Sequence, residues 1–192
     1  MKIITYPHPT LRYASKPIRK VDAELRKIIR EMFALMYEAK GIGLAANQVA
    51  LPLRLFIMNL ASKPGEGEEL VFMNPVLSHP KGSDEAEEGC LSLPGLYGQV
   101  IRPKTVKVQA YNLQGEEVNA ELNGLYARCV QHECDHINGM LFTDRMSPLA
   151  RQAIDDQLYE FEADFQGQRT TGEIPADEVL AQQRAEWEAR YC

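Results

Sequence analysis

The spacing of apolar residues along the chain predicts two amphipathic helices. After Asp22, a residue type favoured at helix N-caps, leucine, isoleucine, methionine and phenylalanine recur every three or four positions until Gly41. The same spacing returns over 123–138 and ends before Gly139. This spacing places apolar side chains on one face, and glycine commonly follows a helix C-terminus. Each stretch is therefore expected to be a helix with one buried face.

Between these helices, runs of branched and aromatic residues predict β-strands. Leu53–Asn59 and Leu70–Leu77 are rich in such residues, and Pro75 predicts that the second strand lies at a sheet edge or is broken. Thr105–Tyr111 alternates apolar and polar residues as a half-buried strand does, and Glu117–Leu122 is expected to pair with it as a hairpin. The middle of the chain is therefore expected to form a sheet.

The remaining segments carry weaker patterns. Gly41–Gln48 consists mostly of small residues and Lys81–Glu88 mostly of polar ones, so both are expected to be loops or short turns. One more amphipathic helix is expected over Pro148–Phe165, and residues 176–190 are expected to form an exposed helix. Helices and strands that do not alternate regularly predict the α+β fold class.

Composition and charge exclude several classes of protein. The 192 residues are 45% apolar and 25% charged, which is typical of a globular chain and not of a disordered or collagen-like one. The net charge is −6, and residues 146–192 carry all of it, with four Arg, no Lys and ten acidic residues. We therefore expect no direct DNA binding and no membrane association, and the acidic C-terminal stretch is a poor surface for RNA.

The spacing of the four cysteines, Cys90, Cys129, Cys134 and Cys192, gives no compact disulfide framework. The chain opens without a secretory signal, since its first ten residues contain two prolines and no long apolar run. A cytoplasmic protein with reduced thiols is therefore expected. In that setting a cysteine is structural, catalytic or bound to a metal.

The strongest chemical signal is the segment His132-Glu-Cys-Asp-His136. Residues four apart lie on one face of a helix, so both imidazoles can reach one metal ion. Glu133 follows the first histidine and can take a proton from a water molecule at that metal. The alternative is a pair of histidines on an exposed, charged helix face, but the residues just upstream are apolar. The other two histidines, His8 and His79, stand beside prolines and are expected at the surface.

A catalytic metal needs a third protein ligand. No histidine follows His136, and the downstream acids Asp144, Glu160 and Glu162 stand in no recognisable motif. Cys129 is seven residues from His136, or about 10 Å along a helix, so it is expected to line a pocket wall instead. Cys134 lies on another helix face and is expected to be a packed core thiol. Cys90, in the segment Glu87–Pro94, remains the candidate, although a buried thiol is the alternative. One thiolate with two imidazoles leaves a coordination position open for water.

The Gly41–Gln48 segment is a third candidate element. Its glycines allow close approach of the backbone to a ligand, and the Gln48 amide can stabilise a developing oxyanion. An ordinary turn is the alternative, since most glycine-rich loops only reverse the chain. Glu88 and Ser92 are either support for the metal ligands or local capping groups. Asp135 is expected to orient an imidazole or an arginine, with Arg102 and Arg145 as the candidates.

These segments together resemble the peptide deformylase family, whose three motifs are GxGxAAxQ, EGCxS and QHExDH. Here the motifs stand, in the same order, as Gly41–Gln48, Glu88–Ser92 and Gln131–His136. The resemblance covers roughly residues 1–165. It implies a catalytic domain over 1–165 and leaves 166–192 as an acidic C-terminal extension with no assigned function. The implied fold has antiparallel sheets around a central helix that carries HExxH, plus a C-terminal helix.

The resemblance also implies a role for each matching residue. Cys90, His132 and His136 would hold one divalent metal ion, Fe²⁺ in the native bacterial enzymes, with Zn²⁺, Ni²⁺ or Co²⁺ possible in preparations. Glu133 would be the general base, and Gln48 and the backbone N–H of Leu91 would stabilise the oxyanion. The implied substrate-binding residues are Ile42, Gly43, Gly89, Leu125 and Cys129.

The implied reaction is hydrolysis of the N-formyl group from the N-terminal formylmethionine of new proteins, with release of formate. The partners would be formylmethionyl peptides and nascent chains, with transient ribosome contact. Docking on the ribosome through a basic C-terminal helix is not expected, because residues 146–192 are acidic. Two alternatives remain at this point. One is an endopeptidase that uses the same HExxH chemistry, and the other is a non-enzymatic binding module with a closed structural metal site.

Overall fold

Two antiparallel sheets and a central helix make up the computed structural model, which describes residues 1–192. The elements are, in order, α1 (Ala23–Glu38), β1 (Gly43–Ala45), β2 (Leu55–Met58), β3 (Leu70–Lys81), β4 (Asp84–Cys90), β5 (Leu93–Arg102), β6 (Thr105–Tyr111), β7 (Glu117–Asn123), α2 (Gly124–Ile137), α3 (Pro148–Gln152), α4 (Asp155–Thr170) and α5 (Asp177–Tyr191). Short 3₁₀ helices cover Pro9–Arg12, Ala46–Val49 and Phe142–Arg145. This arrangement confirms the α+β fold class.

The main sheet lies between α1 and α2. Its strand order is β1-β2-β3-β6-β7, with every pair antiparallel. On β2, Leu55 and Ile57 pack in the cluster built on α1, whereas Phe56 and Met58 pack in the cluster built on α2. Both faces of this strand are therefore buried, which explains its uninterrupted apolar sequence.

Both helix predictions for the first two-thirds of the chain are confirmed. Asp22 caps α1, where its carboxylate accepts a hydrogen bond from the Leu25 N–H at 2.9 Å. Asn123 and Asn138 flank α2, and Gly139 follows with a φ of 77°. That left-handed conformation suits glycine and ends the helix.

The strand predictions are confirmed with two differences. β3 lies inside the sheet and not at its edge, and it tolerates Pro75 because its pairing with β6 shifts register between Met73 and Val76. The expected loop over Lys81–Glu88 is wrong, since Asp84–Cys90 forms β4 and pairs with β5 in a separate two-stranded sheet. Three of its seven residues are exposed and its one buried residue, Glu88, is polar, so its sequence lacks the apolar pattern by which strands are found.

The small-residue segment after α1 is also more regular than expected. Gly43–Ala45 forms β1, which pairs with β2, and Ala46–Val49 forms a 3₁₀ helix. Both pieces are almost completely buried. Small residues at these positions let the backbone pack closely beside α2, and this places Gln48 in the interior.

The C-terminal region differs from its prediction. The single helix expected over Pro148–Phe165 is broken after Gln152, and the second part continues to Thr170. The helix expected over 176–190 is confirmed as α5, but one face of α5 is not exposed, because Leu180 and Tyr191 are buried in the fold. No helix of the protein is long and apolar enough to cross a membrane.

Candidate metal centre and active site

Three possible metal ligands meet where the small sheet approaches α2. Cys90 stands at the end of β4, while His132 and His136 lie one turn apart on α2. The Cys90 Sγ lies 3.2 Å from His136 Nε2, which lies 3.1 Å from His132 Nε2, and all three donor atoms fall within 4.8 Å of one another. Bonds of about 2.0–2.3 Å to one ion fit such separations. The donor set therefore fits a divalent transition metal.

Cys90 reaches this position through an irregularity in the small sheet. The pairing of β4 with β5 is regular up to Gly89, which faces Tyr97, and it shifts before Cys90, which faces Leu93. A shift of this kind bends a strand and redirects the next side chain. A Cβ on Gly89 would stand 2.7 Å from the Tyr97 ring, so glycine directly before the thiol lets that exposed ring pack over the strand.

Glu88 holds His132 from the side opposite to the donor atoms. Its Oε2 lies 2.9 Å from His132 Nδ1. The Glu88 carboxylate also accepts hydrogen bonds from Arg102 at 2.6 and 2.9 Å and from Arg128 at 2.7 Å. Burial raises the pKa of Glu88, but the hydrogen bonds to His132 and Arg102 lower it well below its usual range. The ionised carboxylate fixes the imidazole so that Nε2 faces the metal site.

Glu133 lies in the same pocket and is 3% exposed. Its Oε2 has no hydrogen-bond partner, and burial raises the pKa of Glu133 to about 7, against the opposing effect of His132 and Arg102. A carboxyl group with this pKa can both accept and release a proton near neutral pH. A Cβ on Gly43 would stand 2.9 Å from the Glu133 carboxyl carbon and 2.9 Å from Cys129 Sγ. The glycine therefore makes room for the Glu133 side chain.

Gln48 presents its amide group to the same centre. Its Oε1 accepts a hydrogen bond from the Ala45 N–H at 2.8 Å, which leaves Nε2 to face Ser92 Oγ at 3.2 Å and Cys90 Sγ at 3.4 Å. Leu91 follows Cys90 in the turn between β4 and β5 and lines the pocket. The arrangement thus brings an amide donor next to the thiol.

One pocket of about 690 Å³ gathers nearly all the residues singled out in the sequence. They are Ile42, Gly43, Gln48, Gly89, Cys90, Leu91, Leu125, Cys129, His132 and Glu133. His136 does not line this pocket and is buried behind it. The walls come from the Gly41–Gly43 segment, the small sheet and α2, so three segments distant in sequence enclose one site.

Sequence reasoning missed several residues around this pocket. Arg128 lines it and binds Glu88 and Asp84, and its position one turn before His132 on the same helix is a signal that could have found it. Tyr97 and Lys40 also line the pocket, but no sequence pattern distinguishes them from other exposed residues.

The expectation for His8 is wrong. This residue is buried, and its Nδ1 accepts a hydrogen bond from the Thr10 N–H at the start of a 3₁₀ helix. His79 is exposed, as expected. Cys134 is a packed core thiol, as expected, and burial raises the pKa of Cys134 to about 12.

The chain matches one family over most of its length. The family model described as polypeptide deformylase matches residues 1–152. A peptide deformylase from Rhodopirellula baltica is 52% identical over 191 residues, which are 100% of this chain and 95% of that protein. The peptide deformylase 1B, chloroplastic/mitochondrial, of Arabidopsis thaliana is 41% identical over 187 residues, or 96% of this chain and 67% of that protein.

Solved structures agree with these sequence matches. The crystal structure of the plant peptide deformylase PDF1B superposes with a TM-score of 0.86 at 40% identity, covering 92% of this chain and 95% of that one. A peptide deformylase from Plasmodium falciparum superposes with a TM-score of 0.84 at 38% identity, covering 86% of this chain and 98% of that one. The sheets and helices described above are thus those of known peptide deformylases.

Proposed function

Because the chain belongs to the polypeptide deformylase family, it hydrolyses the N-formyl group of N-terminal formylmethionine, and we propose that the residues of the pocket divide this work as follows. Cys90, His132 and His136 hold the metal ion. Glu133 moves the proton, and Gln48 with the Leu91 backbone N–H stabilises the oxyanion. The observation that carries this proposal is the meeting of the three donor atoms, within 4.8 Å of one another, beside the buried carboxyl group of Glu133.

Fe²⁺ is the native ion in this proposal, as the family resemblance implies, and the donor set accepts it. One thiolate and two imidazoles suit Fe²⁺, Zn²⁺, Ni²⁺ and Co²⁺, and supply in the cell selects among them. When bound, such an ion lowers the pKa of water and polarises a carbonyl group, which provides a nucleophile near neutral pH. The Cys90 thiolate adds negative charge to the site and makes a ferrous form sensitive to oxygen.

Glu133 is suited to carry one proton through the whole reaction. The ionised carboxylate takes the proton from the attacking water as oxygen bonds to the formyl carbon. The same carboxyl group then gives that proton to the methionine nitrogen while the carbon–nitrogen bond breaks. The second water proton leaves with the formic acid, which ionises to formate near neutral pH, and the other product is a free N-terminal amine. With a pKa of about 7, Glu133 can be ionised for the first proton transfer and protonated for the second near neutral pH.

Gln48 and Leu91 flank the place where charge develops on the formyl oxygen. The Gln48 Nε2 faces the Cys90 side of the pocket and keeps its orientation because Oε1 is bound to the Ala45 N–H. A donor held in advance stabilises an oxyanion without having to reorganise during the reaction. The Leu91 N–H would add a second donor from the turn that follows Cys90.

The apolar wall next to Glu133 is our candidate for the methionine side chain. Ile42, Leu125 and Cys129 line it, and burial raises the pKa of the Cys129 thiol well above its usual value, so Cys129 stays neutral. A thioether side chain packs well against such groups. Gly43 and Gly89 offer backbone without side chains, which lets a peptide lie close to the pocket walls.

An anaerobic assay of formate release tests this function. The substrates are a formyl-Met tripeptide and its acetyl-Met analogue, and the metal content is measured in the same sample. Rapid formate release with the acetyl peptide largely intact is expected. A fully metallated, folded sample that releases no formate would contradict the proposal. Cleavage of internal bonds in unformylated peptides would favour an endopeptidase instead.

We propose further that the enzyme works in the cytoplasm on nascent chains and contacts the ribosome transiently. Residues 1–165 form the catalytic domain in this proposal, and 166–192 form an acidic extension. Any contact with ribosomal RNA falls to another surface, since residues 146–192 carry the whole net charge of −6. A pull-down with ribosomes at low and high salt, using the full chain, tests this contact.

A further inference from the structure

We infer that Arg145, at the protein surface, is a positioning residue for the metal ligand His132 and acts through a chain of buried ion pairs. This inference rests on the proposed metal site. The side chain of Arg145 is 41% exposed, whereas those of the residues that connect it to His132 are at least 93% buried. A partly solvated group would thus help to hold the coordination geometry.

The chain of contacts is continuous. Arg145 binds Asp135 with two hydrogen bonds, Nε to Oδ2 at 2.7 Å and Nη2 to Oδ1 at 2.5 Å. Asp135 Oδ2 also accepts a hydrogen bond from Arg102 Nη1 at 2.7 Å. Arg102 binds both oxygens of Glu88, and Glu88 Oε2 lies 2.9 Å from His132 Nδ1. Every step joins a charged group or an imidazole to the next.

Asp135 depends on Arg145 more than on its other partner. Of the three hydrogen bonds that its carboxylate accepts from arginines, Arg145 donates two, and it alone binds Oδ1. Without Arg145 a buried carboxylate oxygen would lose its charged partner, which is costly in a desolvated site. The Asp135 side chain would then turn, and Arg102 would lose the alignment that it needs to grip Glu88 with both nitrogens.

The balance of charges in this network also supports a positioning role for Arg145. Three arginines (Arg102, Arg128 and Arg145) and three carboxylates (Asp84, Glu88 and Asp135) make up the network, so the set is neutral. Removing the positive charge of Arg145 leaves the network with an excess negative charge two ion pairs away from Glu88. The charges around Glu88, whose carboxylate orients His132, would then no longer be balanced.

The position of Arg145 is itself well fixed. It ends the 3₁₀ helix Phe142–Arg145, and Phe142 in that helix is buried with its ring stacked on His132 at a centroid distance of 6.3 Å. One short helix therefore contacts His132 directly through Phe142 and indirectly through Arg145. A second cavity of about 220 Å³ borders Arg102, Asp135 and Arg145, whereas Glu88 and His132 border the active-site pocket. The network thus extends from one cavity to the other.

The test measures how fast a chelator removes Zn²⁺ from the fully loaded enzyme, well below its melting temperature. Changing a group that supports a metal-bound histidine typically costs about 10- to 100-fold in affinity or activity. Arg145 acts three ion pairs further out than Glu88, so we expect Arg145→Gln to release Zn²⁺ about three- to tenfold faster. Arg145→Lys keeps the charge but cannot bind both carboxylate oxygens, so its release rate should fall between wild type and Arg145→Gln.

Two further variants separate positioning from a general loss of stability. Arg151→Gln is the matched control, since Arg151 forms an exposed ion pair with Asp155 close by in the chain, and its release rate should equal that of wild type. In an Asp135→Asn background, Arg145→Gln should add little, because the link is already weakened. The d–d spectrum of the Co²⁺ enzyme should change in Arg145→Gln and not in Arg151→Gln.

Wild-type release rates in both Arg145 variants would overturn the inference. If Arg145→Gln does not fold, Arg145→Lys decides, and a wild-type rate in that variant has the same meaning. The experiment needs no deformylase activity. A wild-type enzyme without formate release would therefore refute the proposed function, while the metal release rates would still test the role of Arg145.

Discussion

Glu133 owes its proposed chemistry to where it is buried and not to its residue type alone. Chains contain many glutamates, but this one has an oxygen without a hydrogen-bond partner, and burial raises its pKa to about 7. The sequence identifies it only through the HExxH spacing, since nothing in the order of residues reports the space that Gly43 leaves beside it. Motif residues could thus be predicted from the sequence, and their surroundings could not.

Replacing Glu133 should separate metal binding from catalysis. In Glu133→Gln we expect full metal content and a loss of about 10²–10⁴-fold in kcat, because the amide cannot carry the proton. Metal analysis and formate release on the same sample measure both quantities. Near-normal turnover in this variant would remove Glu133 from the role of general base.

Adding one methyl group at Gly43 should disturb Glu133 without touching the metal ligands. A Cβ there would stand 2.9 Å from both Cys129 Sγ and the Glu133 carboxyl carbon, so Gly43→Ala must displace one of them. We expect kcat to fall about 10²-fold with unchanged metal content, the usual effect of a misplaced catalytic group. The control is Gly167→Ala, where an added Cβ meets nothing within 4 Å. Equal activities in the two variants would contradict this explanation.

His8 should make the fold sensitive to acid. Burial, with a smaller effect of nearby Arg169, lowers the pKa of His8 to about 4 from its ordinary 6.5. Between these values the unfolded chain binds the proton and the folded one does not, so stability falls as the pH falls from 6.5 to 4. The loss attributable to His8 is up to about 3 kcal/mol.

His8→Asn keeps a good N-capping group and cannot titrate, so it should lose less stability over this range. Urea unfolding at pH 7, 5.5 and 4 measures the difference between this variant and wild type. His79→Asn, at an exposed position, serves as the control. Parallel curves for His8→Asn and wild type would show that the capping histidine does not contribute to acid sensitivity.

Elements were predictable where burial imposes a period on the sequence. α1 and β6 bury one face, and their apolar spacing predicts them. The same spacing predicts α2, but most of that helix is buried on all sides, so the expectation of one buried face is wrong there. β4 was missed because its one buried side chain is the polar Glu88, whose arginine partners lie far away in sequence, so the strand has no apolar period. The break between α3 and α4 was missed as well, because no glycine or proline marks the junction at Ala153 and Ile154.

The last helix belongs to the core, and one residue tests this. Tyr191 in α5 is 1% exposed, and its hydroxyl contacts the Asp22 cap of α1 at 3.1 Å. Tyr191→Ala should lower the free energy of unfolding by about 3–5 kcal/mol, as for other buried aromatic residues. Tyr191→Phe, which removes only the hydroxyl, should cost about 0.5–1.5 kcal/mol. Equal costs in urea unfolding would mean that α5 contributes little to the core.

Across the protein as a whole, the proposed metal site would add a link between two parts that the ion pairs of Arg102 and Arg128 already connect. Cys90 belongs to the two-stranded sheet, and the two histidines belong to the helix packed on the main sheet. An ion bound to all three fastens one sheet to the other. This long-range arrangement could be inferred from three motifs together, but not from any one of them.

Removing the metal should therefore weaken the small sheet first. Binding to the folded state alone stabilises a protein by about 2.7 kcal/mol when the free ligand is at 100 times its Kd. We expect a lower Tm after chelation under anaerobic conditions, with the largest increase in hydrogen exchange at the turn between β4 and β5. Cys90→Ser should reduce the difference in Tm between metallated and chelated samples. An unchanged exchange pattern in the turn would contradict this coupling.

The neutral network around Arg102 and Glu88 also limits how this protein can evolve. Removing one member of a buried ion pair costs about 3–5 kcal/mol, which is a large part of the stability of an ordinary domain. A mutation at one of these positions therefore lowers stability, and a second mutation that restores the charge balance recovers part of the loss. Substitutions at Asp135 and Arg145 should accordingly occur together among descendants of this sequence. A library that varies both positions at once will recover active enzymes that single-site libraries miss.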